Sequence, residues 1–389
     1  MSSRTPLAWK NLTHDRWRLV VAVAGVGFAA LLIFMELGFL NALLESTVQI
    51  LRRLNGELIM VSSARYALPA NERFEIRRMQ QAEGVPGVQA VFPLYIETLG
   101  GVLRATDSRA HPIRVLAVHE DEPVFDRQPL TKLAPQLRRP NSAIVDIASR
   151  AKFGIPTKPD QIAAFQAQLS GRRIQLVGQF RLGVDFATDG NLLMTASNFA
   201  AFFPHRAGNA SPLSVIDLAI VKLVPGTNVR TAQQALQAAL PDDVDVFTRQ
   251  ELIQREKTFW RTNAPVGYIF LVGVYMGFVV GVIICYQIIY TDIANHMREF
   301  ATLKAMGYGN LYFFQLVLWQ AFYLSVLGFV PGCALSYGCY RLLAGVTGLT
   351  MQMTVTLAVT VFVVTLLMCV VSGLLALRKL MAMDPAELF

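Results

Sequence analysis

Few side chains of this sequence stand in a pattern that could carry out chemistry. No GxxxxGK[ST], HExxH or GxSxG motif occurs, so the chain has no P-loop with which to cradle nucleotide phosphates. An acidic run at residues 120–122 could bind a cation, but such a run is more typical of a solvated turn. The five histidines are scattered without the spacing of metal ligands: His14, His111, His119, His205 and His296. The sequence therefore predicts no catalytic residue and no metal site, and any chemistry must come from a partner.

Four long apolar blocks place this chain in a membrane. Its composition, 53% hydrophobic and 16% charged, is too apolar for an ordinary soluble protein of 389 residues. Each block, as a helix, is long enough to cross a hydrocarbon layer of about 30 Å. A cleaved signal peptide is a poor alternative for the first block, because its apolar run exceeds the usual length of about 7–15 residues. The predicted spans are residues 19–44, 265–290, 311–340 and 355–377.

Basic residues near the ends of the blocks predict the topology, because Lys and Arg tend to stay in the cytoplasm. The short loop between the last two blocks has only Arg341. In contrast, six basic residues lie before the first block or after the last block: Arg4, Lys10, Arg16, Arg18, Arg378 and Lys379. Both termini are therefore predicted to be cytoplasmic, in a multi-pass protein of a bacterial inner membrane. Residues 45–264 are then periplasmic.

The net charge and the cysteines exclude two other classes of protein. The formal charge of +8 is spread thinly, and no basic run has interleaved aromatic residues, so no nucleic-acid partner is expected. The large loop contains no cysteine, and the four present all lie in apolar blocks, namely Cys285, Cys333, Cys339 and Cys369. Without a disulfide framework, the large domain must be stabilised by an ordinary core.

The sequence of the large loop predicts an α+β domain. Strand, helix and strand patterns follow one another near its start, at residues 56–99, and again near its end, at residues 215–248. Two such units separated by an insertion predict a split ferredoxin-like fold with a β-rich inserted subdomain at about residues 141–204. Apolar helical patterns continue beyond the first span and before the second, which predicts a helical stalk beneath the domain.

Polar and small residues interrupt the predicted spans. Glu36 and Asn41 break the first span, and an ionisable group in lipid should face protein, water or the interface. Either Glu36 lines a substrate path, or it is paired within the bundle near the outer end. The second span carries glycines at four-residue spacing, which permits close helix packing within one chain or in a homodimer: Gly273, Gly277 and Gly281. Residues 328–332 of the third span predict a kink or a break.

Between the second and third spans lies a short charged amphipathic segment, residues 291–311. Ile293, Met297 and Phe300 share one helical stripe, and charged or polar side chains lie opposite. Gly307 and Gly309 are expected to end the helix. The segment can dock in a groove of another protein, or it can simply connect two spans.

This segment carries a family resemblance. MREFATLKAMGYG, residues 297–309, resembles the RE(I/F)xxL(R/K)AxG signature of MacB/FtsX-class (type VII) ABC transporter permeases. The ending MDPAELF, residues 383–389, is similar to the D-P-x-E-x-(L/F) tail of that class. The order of one span, a large outer domain and three further spans is also similar. PLAWKNLTHDRWRL, residues 6–19, and LRRLNGELIMVSS, residues 51–63, resemble the cyanobacterial DevC branch.

The resemblance implies a subunit that couples ATP hydrolysis by a separate ATPase to motion of the periplasmic domain. It implies a homodimer with two ATPase copies, a periplasmic adaptor, a TolC-like outer-membrane duct, contact with membrane lipid, and a glycolipid or another amphiphile as cargo. This chain would bind no cofactor, because ATP and Mg belong to the ATPase. The coupling helix that docks on the ATPase would comprise Arg298, Glu299, Phe300, Leu303, Lys304, Met306 and Gly307.

Two relatives of the same plan give alternatives. One is a Lol-type permease that releases lipoproteins, and the other is an FtsX-like scaffold that activates a cell-wall hydrolase. The expected organisation combines four membrane helices with the α+β domain on its stalk. Its segments are a cytoplasmic amphipathic start (1–18), span one (19–44), the stalk and periplasmic domain (45–264), span two (265–290), the coupling helix (291–310), span three (311–340), a periplasmic loop (341–354), span four (355–377) and a cytoplasmic tail (378–389).

Overall fold

The computed structural model divides the chain into two compact units, Met1–Ala42 with Pro265–Phe389, and Leu43–Ala264. It describes residues 15–105, 109–120, 122–125, 135–156, 158–162, 165–185, 187–297, 302–303, 306–347 and 351–381. The α-helices of these residues are α1 Arg16–Thr47, α2 Gln49–Arg53, α3 Arg77–Glu83, α4 Pro159–Ile162, α5 Ala196–Phe202, α6 Val229–Ala239, α7 Arg249–Thr258, α8 Pro265–Asn295, α9 Asn310–Thr347 and α10 Val355–Met381.

Within the described residues, four helices are long and apolar enough to cross a membrane: α1, α8, α9 and α10. Helix α10 packs against both α8 and α9. Helix α9 continues through Pro331, so of the two predicted alternatives the break is wrong and the kink stays a prediction. One proline removes only one backbone hydrogen bond, and neighbouring helices in a bundle can compensate for that loss.

The second unit is a mixed α/β domain. Its strands are β1 Leu58–Ser62, β2 Phe74–Glu75, β3 Val88–Glu97, β4 Val102–Ala105, β5 His111–Pro112, β6 Arg114–Val118, β7 Ser142–Asp146, β8 Gln166–Leu169, β9 Arg172–Phe180, β10 Asn191–Thr195, β11 Val215–Ile216, β12 Leu218–Leu223 and β13 Val244–Thr248. The order β13-β1-β12-β3 is antiparallel, with α3 joining β1 to β3 and α6 joining β12 to β13. This is the ferredoxin-like arrangement that the two sequence units predict, and the predicted fold class is confirmed.

The insertion continues the same sheet. Strand β6 pairs antiparallel with β3, and the order continues β10-β7-β9-β8-β4-β5 to give eleven strands. The added strands begin at Val102, well before the predicted start of the insertion at residue 141. Pairing with β6 satisfies backbone groups of β3 that would otherwise form an exposed sheet edge.

Both faces of the central strands are buried. Along β1, Leu58 and Met60 belong to one apolar cluster, whereas Ile59 and Val61 belong to the other. Because side chains alternate between the faces of a sheet, a strand covered on both sides reads as an unbroken apolar run. This explains the sequence LIMV at the start of the domain.

The chain enters and leaves this domain at neighbouring points. Leu58, the first residue of β1, is paired with Thr248, the last residue of β13. Helix α2 packs against α7, and Lys257 forms an ion pair with Glu45. Thr248 also caps α7, because its side chain and Glu251 form a reciprocal capping box. The helical segments at the two ends of the domain therefore lie side by side, as a stalk requires.

Candidate functional site

The segment between α8 and α9 contains the predicted docking residues. Leu303, Met306 and Gly307 are described by the structure. The other four predicted docking residues lie outside the described residues: Arg298, Glu299, Phe300 and Lys304.

A helical turn ends at Gly307. Its φ of +95° is in the left-handed region, where glycine has no steric penalty. The backbone N–H of Tyr308 donates to the carbonyl of Leu303 at 3.2 Å, and the N–H of Met306 donates to that of Thr302 at 3.0 Å. The first bond and the left-handed glycine are the marks of a Schellman helix end. Gly307 thus ends the helix where the sequence predicts, and α9 begins three residues later.

The two apolar side chains of this turn have different surroundings. Leu303 is half-buried and packs against the apolar cluster of its own helical bundle. Met306 is 64% exposed, and the exposed side chains of Tyr308 and Leu311 follow it. Leu303 therefore fixes the turn to the bundle, while Met306, Tyr308 and Leu311 form an exposed apolar patch. Such patches commonly mark contacts with another protein or a membrane.

The end of α8 is joined to α9 by a partly buried polar contact. Asp292 accepts a hydrogen bond from the side-chain amide of Gln320 at 2.9 Å. Nδ1 of His296 lies 3.6 Å from the other carboxylate oxygen of Asp292. A change at Asp292 would therefore affect the contacts of α9 as well as those of α8.

Two of the glycines in α8 pack inside the chain. Gly277 faces Ile33 of α1, and a Cβ built on it would lie 3.3 Å from Cγ1 of Ile33. Gly281 lies between Ala29 of α1 and Met368 of α10, where a side chain would collide with both. The glycines allow α8 to approach its neighbours closely. This face of α8 is therefore occupied by helices of the same chain, and the homodimer remains a prediction.

The remaining glycine of the α8 series, Gly273, lies against Glu36 of α1. Gly273 is in contact with the Glu36 carboxylate, which would collide with any Cβ at that position. Glu36 is half-buried on α1, whereas Asn41, one turn further on, is exposed. The structure thus places Glu36 between α1 and α8, and it leaves Asn41 on the surface of the unit.

A close approach of α1 to α9 was not predicted. A Cβ on Gly27 would lie 3.1 Å from the carbonyl oxygen of Gly328, and one on Gly332 would lie 2.8 Å from that of Gly27. Nearby, the Tyr340 hydroxyl donates to the carbonyl of Phe34. Gly328 and Gly332 have the same four-residue spacing as the α8 glycines, and this signal could have identified the contact.

The α/β domain contains a buried charge cluster that sequence analysis also missed. Asp217 has no exposed surface and forms ion pairs with three arginines. Arg65 is 3.3 Å from it, Arg73 is 3.4 Å from it and also 3.0 Å from Glu97, and Arg206 contacts its other oxygen. The signal is an acid between Ile216 and Leu218 in an otherwise apolar strand run.

Burial dominates the electrostatics of this cluster. Removal from water and, after it, the neighbouring charge of Arg73 together lower the pKa of Arg206 to about 9. Burial, followed by the charge of Arg73, lowers the pKa of Arg65 to about 10. Both arginines nevertheless stay protonated at neutral pH. The cluster therefore depends on Asp217 for its compensation, and it joins the insertion to the ferredoxin-like half through Arg206.

Glu256 of α7 is a second buried acid. It accepts from the backbone N–H of Leu68 at 3.0 Å and from Nε1 of Trp260 at 2.8 Å. Burial raises its pKa to about 7, against the lowering effect of these hydrogen bonds. This acid ties the exit helix α7 to the loop that follows β1.

The described part of the chain offers no metal centre, because no three His, Cys, Asp or Glu side chains are grouped there so that they could hold an ion. Within the bundle, the sulfur atoms of Cys285 and Cys369 lie 3.7 Å apart. Both are free thiols packed in the core of the bundle.

Comparisons with known proteins find one matching family model and several similar solved structures. The model of the FtsX-like permease C-terminal family matches residues 271–385. The periplasmic region of MacB from Actinobacillus actinomycetemcomitans is similar at 12% identity and a TM-score of 0.36, over 52% of this chain and 94% of that chain. The extracellular domain of the noncanonic ABC-type transporter YknZ from Gram-positive bacteria is similar at 12% identity and a TM-score of 0.33, over 50% and 99%. No curated protein matches.

The family match covers α9, α10 and most of α8, together with the segment that ends at Gly307. It lies on the helical unit, whose four apolar helices are interrupted by the α/β domain after the first. The DevC branch has no counterpart in these comparisons and stays a prediction. Residues 271–385 thus form an FtsX-like permease C-terminal domain, which lies in a unit of four apolar helices.

Proposed function

We propose that this chain is the force-transmitting permease of a tripartite ABC exporter. Two copies would bind two copies of a separate ATPase, which holds the ATP and Mg, while this chain holds no cofactor and performs no catalysis. A periplasmic adaptor and a TolC-like duct would receive the cargo, a glycolipid or another amphiphile. The termini would be cytoplasmic and the α/β domain periplasmic.

The observation that carries the proposal is the helix end at Gly307 inside the family-matched segment. Leu303 anchors the turn to the bundle, whereas Met306, Tyr308 and Leu311 are exposed. An anchored turn with an exposed apolar patch suits docking, because apolar contacts supply most of the affinity and charges mainly fix orientation. The preceding charges at Arg298, Glu299 and Lys304 would supply that orientation.

Transmission would follow the contacts inside each unit. A push on the docking segment would act on α8 through its continuous chain and on α9 through Asp292 and Gln320. The glycine contacts of α8 with α1 would carry the displacement to α1. Because α1 and α8 are the helices that flank the α/β domain in sequence, their movement would displace that domain and drive cargo into the adaptor.

The test measures how much ATPase co-purifies with the Met306→Asp variant, and how much cargo that variant exports. The substitution places a charge in the exposed apolar patch, and we expect loss of ATPase binding and of export. Leu342→Asp is the matched control, since Leu342 is 74% exposed near the other end of α9. Phe300→Asp and Glu299→Lys should have the effect of Met306→Asp, with the permease still folded and inserted.

Normal ATPase binding and export by both Met306→Asp and Phe300→Asp would contradict the docking assignment. Co-purification tests the wider proposal. An adaptor and a TolC-like protein retained with the chain support export, whereas a cell-wall hydrolase or a lipoprotein in their place supports the FtsX-like or the Lol-type alternative.

A further inference from the structure

The helical unit contains a groove that the proposed function does not use. It lies between α1, α8 and α9 and has a volume of about 460 Å³, within the range of small-molecule sites. Its apolar part is lined by Val21, Ala22 and Gly25 of α1 together with Ile284 and Ile288 of α8. A continuous apolar lining of this kind suits an acyl chain.

The other end of the groove is polar and incompletely satisfied. Gln320 lines it and is only 2% exposed. Its amide nitrogen donates to Asp292, but its Oε1 atom has no hydrogen-bond partner among the described residues. A buried acceptor without a partner costs about 1–3 kcal/mol, so a ligand that donates to it would be favoured. Asp292, also in the lining, adds a carboxylate beside this acceptor.

The mouth of the groove is exposed and carries a basic side chain, whereas the polar end is buried and carries an acidic one. Trp17 and Arg18 line it, and both are largely exposed, with the Arg18 side chain at 58%. Asp15 accepts from Nε of Arg18 at 3.0 Å, and a guanidinium has five N–H donors, so it can serve a second anion. Tryptophan and arginine are also the residues that commonly anchor a helix at the membrane interface.

We propose that this groove binds one phospholipid with an ethanolamine headgroup. Its acyl chain would lie along Val21, Ala22 and Ile288, its phosphate would meet Arg18, and its ammonium would donate to Asp292 and to Oε1 of Gln320.

The donor requirement selects this headgroup. An ammonium group has three N–H donors and a positive charge, which match a carboxylate and an adjacent carbonyl. A choline headgroup has the charge but no donor. A glycerol headgroup has hydroxyl donors but no positive charge. The inference goes beyond the proposed function, because it requires neither the ATPase nor the cargo.

The experiment uses the full chain, purified, delipidated and then offered equal amounts of phosphatidylethanolamine, phosphatidylcholine and phosphatidylglycerol with identical acyl chains. Native mass spectrometry counts the lipid retained on each chain. We expect about one retained phosphatidylethanolamine, bound at least about tenfold more tightly than the other two lipids. Equal retention of all three lipids would overturn the proposal.

Variants locate the site. Asp292→Asn removes the charge, and Gln320→Leu removes the unpartnered acceptor. Each should reduce the preference for phosphatidylethanolamine by about tenfold, which corresponds to about 1.4 kcal/mol. Gln315→Leu is the matched control for the second change, because Gln315 is exposed on the same helix and outside this groove. An unchanged preference in both groove variants would refute the assignment.

Val21→Trp provides a test that leaves the polar end intact. Val21 is 52% exposed, so the larger ring fits the fold while filling the groove, and retention of all three lipids should fall. Deletion of residues 2–14 separates the lipid from the chain's own amino-terminal segment as the occupant. Lipid bound only after this deletion would show that the segment fills the groove, and it would overturn the proposal.

Discussion

Asp217→Asn should strongly destabilise the α/β domain. Asp217 is completely buried and compensates three arginines, of which Arg206 is also completely buried at its side chain. Asparagine keeps the shape of the side chain, so the acceptor for the backbone N–H of Ile96 at 2.7 Å can survive. The negative charge is lost, however, and the arginines remain buried without full compensation. Breaking a buried ion pair from one side costs about 3–5 kcal/mol.

Thermal unfolding of the full chain in detergent, followed by circular dichroism, measures this cost. For a domain of this size 1 kcal/mol corresponds to about 2–4 °C, so the transition of the α/β domain should fall by about 6–20 °C. Asp243→Asn is the matched control. Asp243 forms an ion pair with Arg78 at 3.1 Å but is 48% exposed, and such pairs contribute at most about 1 kcal/mol. Equal shifts in the two variants would refute the role given to burial.

Three further outcomes are expected. Because burial raises the pKa of Glu256 from 4.5 to about 7, the stability that its protonated form provides is lost as the pH rises through this window. As the pH rises from 4.5 to about 7, the wild-type Tm should therefore fall relative to that of Glu256→Gln. Above about pH 7 the difference between the two Tm values should stay constant. Gly281→Leu should lower the Tm of the bundle through overpacking of about 1–3 kcal/mol, whereas Gly338→Leu should not, since open space surrounds Gly338. Gly307→Ala should cost about 1–2 kcal/mol at the left-handed φ, and faster hydrogen exchange of the Tyr308 amide would report it.

The membrane helices were the most predictable part of the fold, because a run of some twenty apolar residues has few alternatives. Their ends were less predictable. Helix α1 continues to Thr47 and α9 to Thr347, both beyond the apolar blocks. Outside a hydrocarbon layer a helix no longer needs apolar side chains, so hydropathy does not mark where it stops.

The ferredoxin-like half was predictable because its strands are long and bounded by helices of clear periodicity. The continuity of the sheet was not, since the pairing of β6 with β3 depends on contacts between distant segments. Strands of two residues, such as Phe74–Glu75, have no periodicity to detect. The predicted strand at residues 215–224 is divided at Asp217, whose buried ion pairs belong to the tertiary structure.

In the segment between α8 and α9, the helix end at Gly307 follows from residue type alone. Periodicity cannot say which apolar residue faces the bundle, and the structure shows that Leu303 does while Met306 does not. Similarly, Gly27 has no second glycine four residues before or after it in α1. Its contact with Gly328 becomes apparent only when both helices are known.

The pairing of Leu58 with Thr248 gives the α/β domain adjacent ends. Loop-closure entropy depends only weakly on the number of residues between two neighbouring anchor points, so lengthening the insertion between β3 and β12 costs little. Homologues can therefore acquire or lose strands there without changing how the domain is attached at its ends. For the same reason a short Gly/Ser linker would be long enough to join the two ends of the domain across the β1–β13 junction.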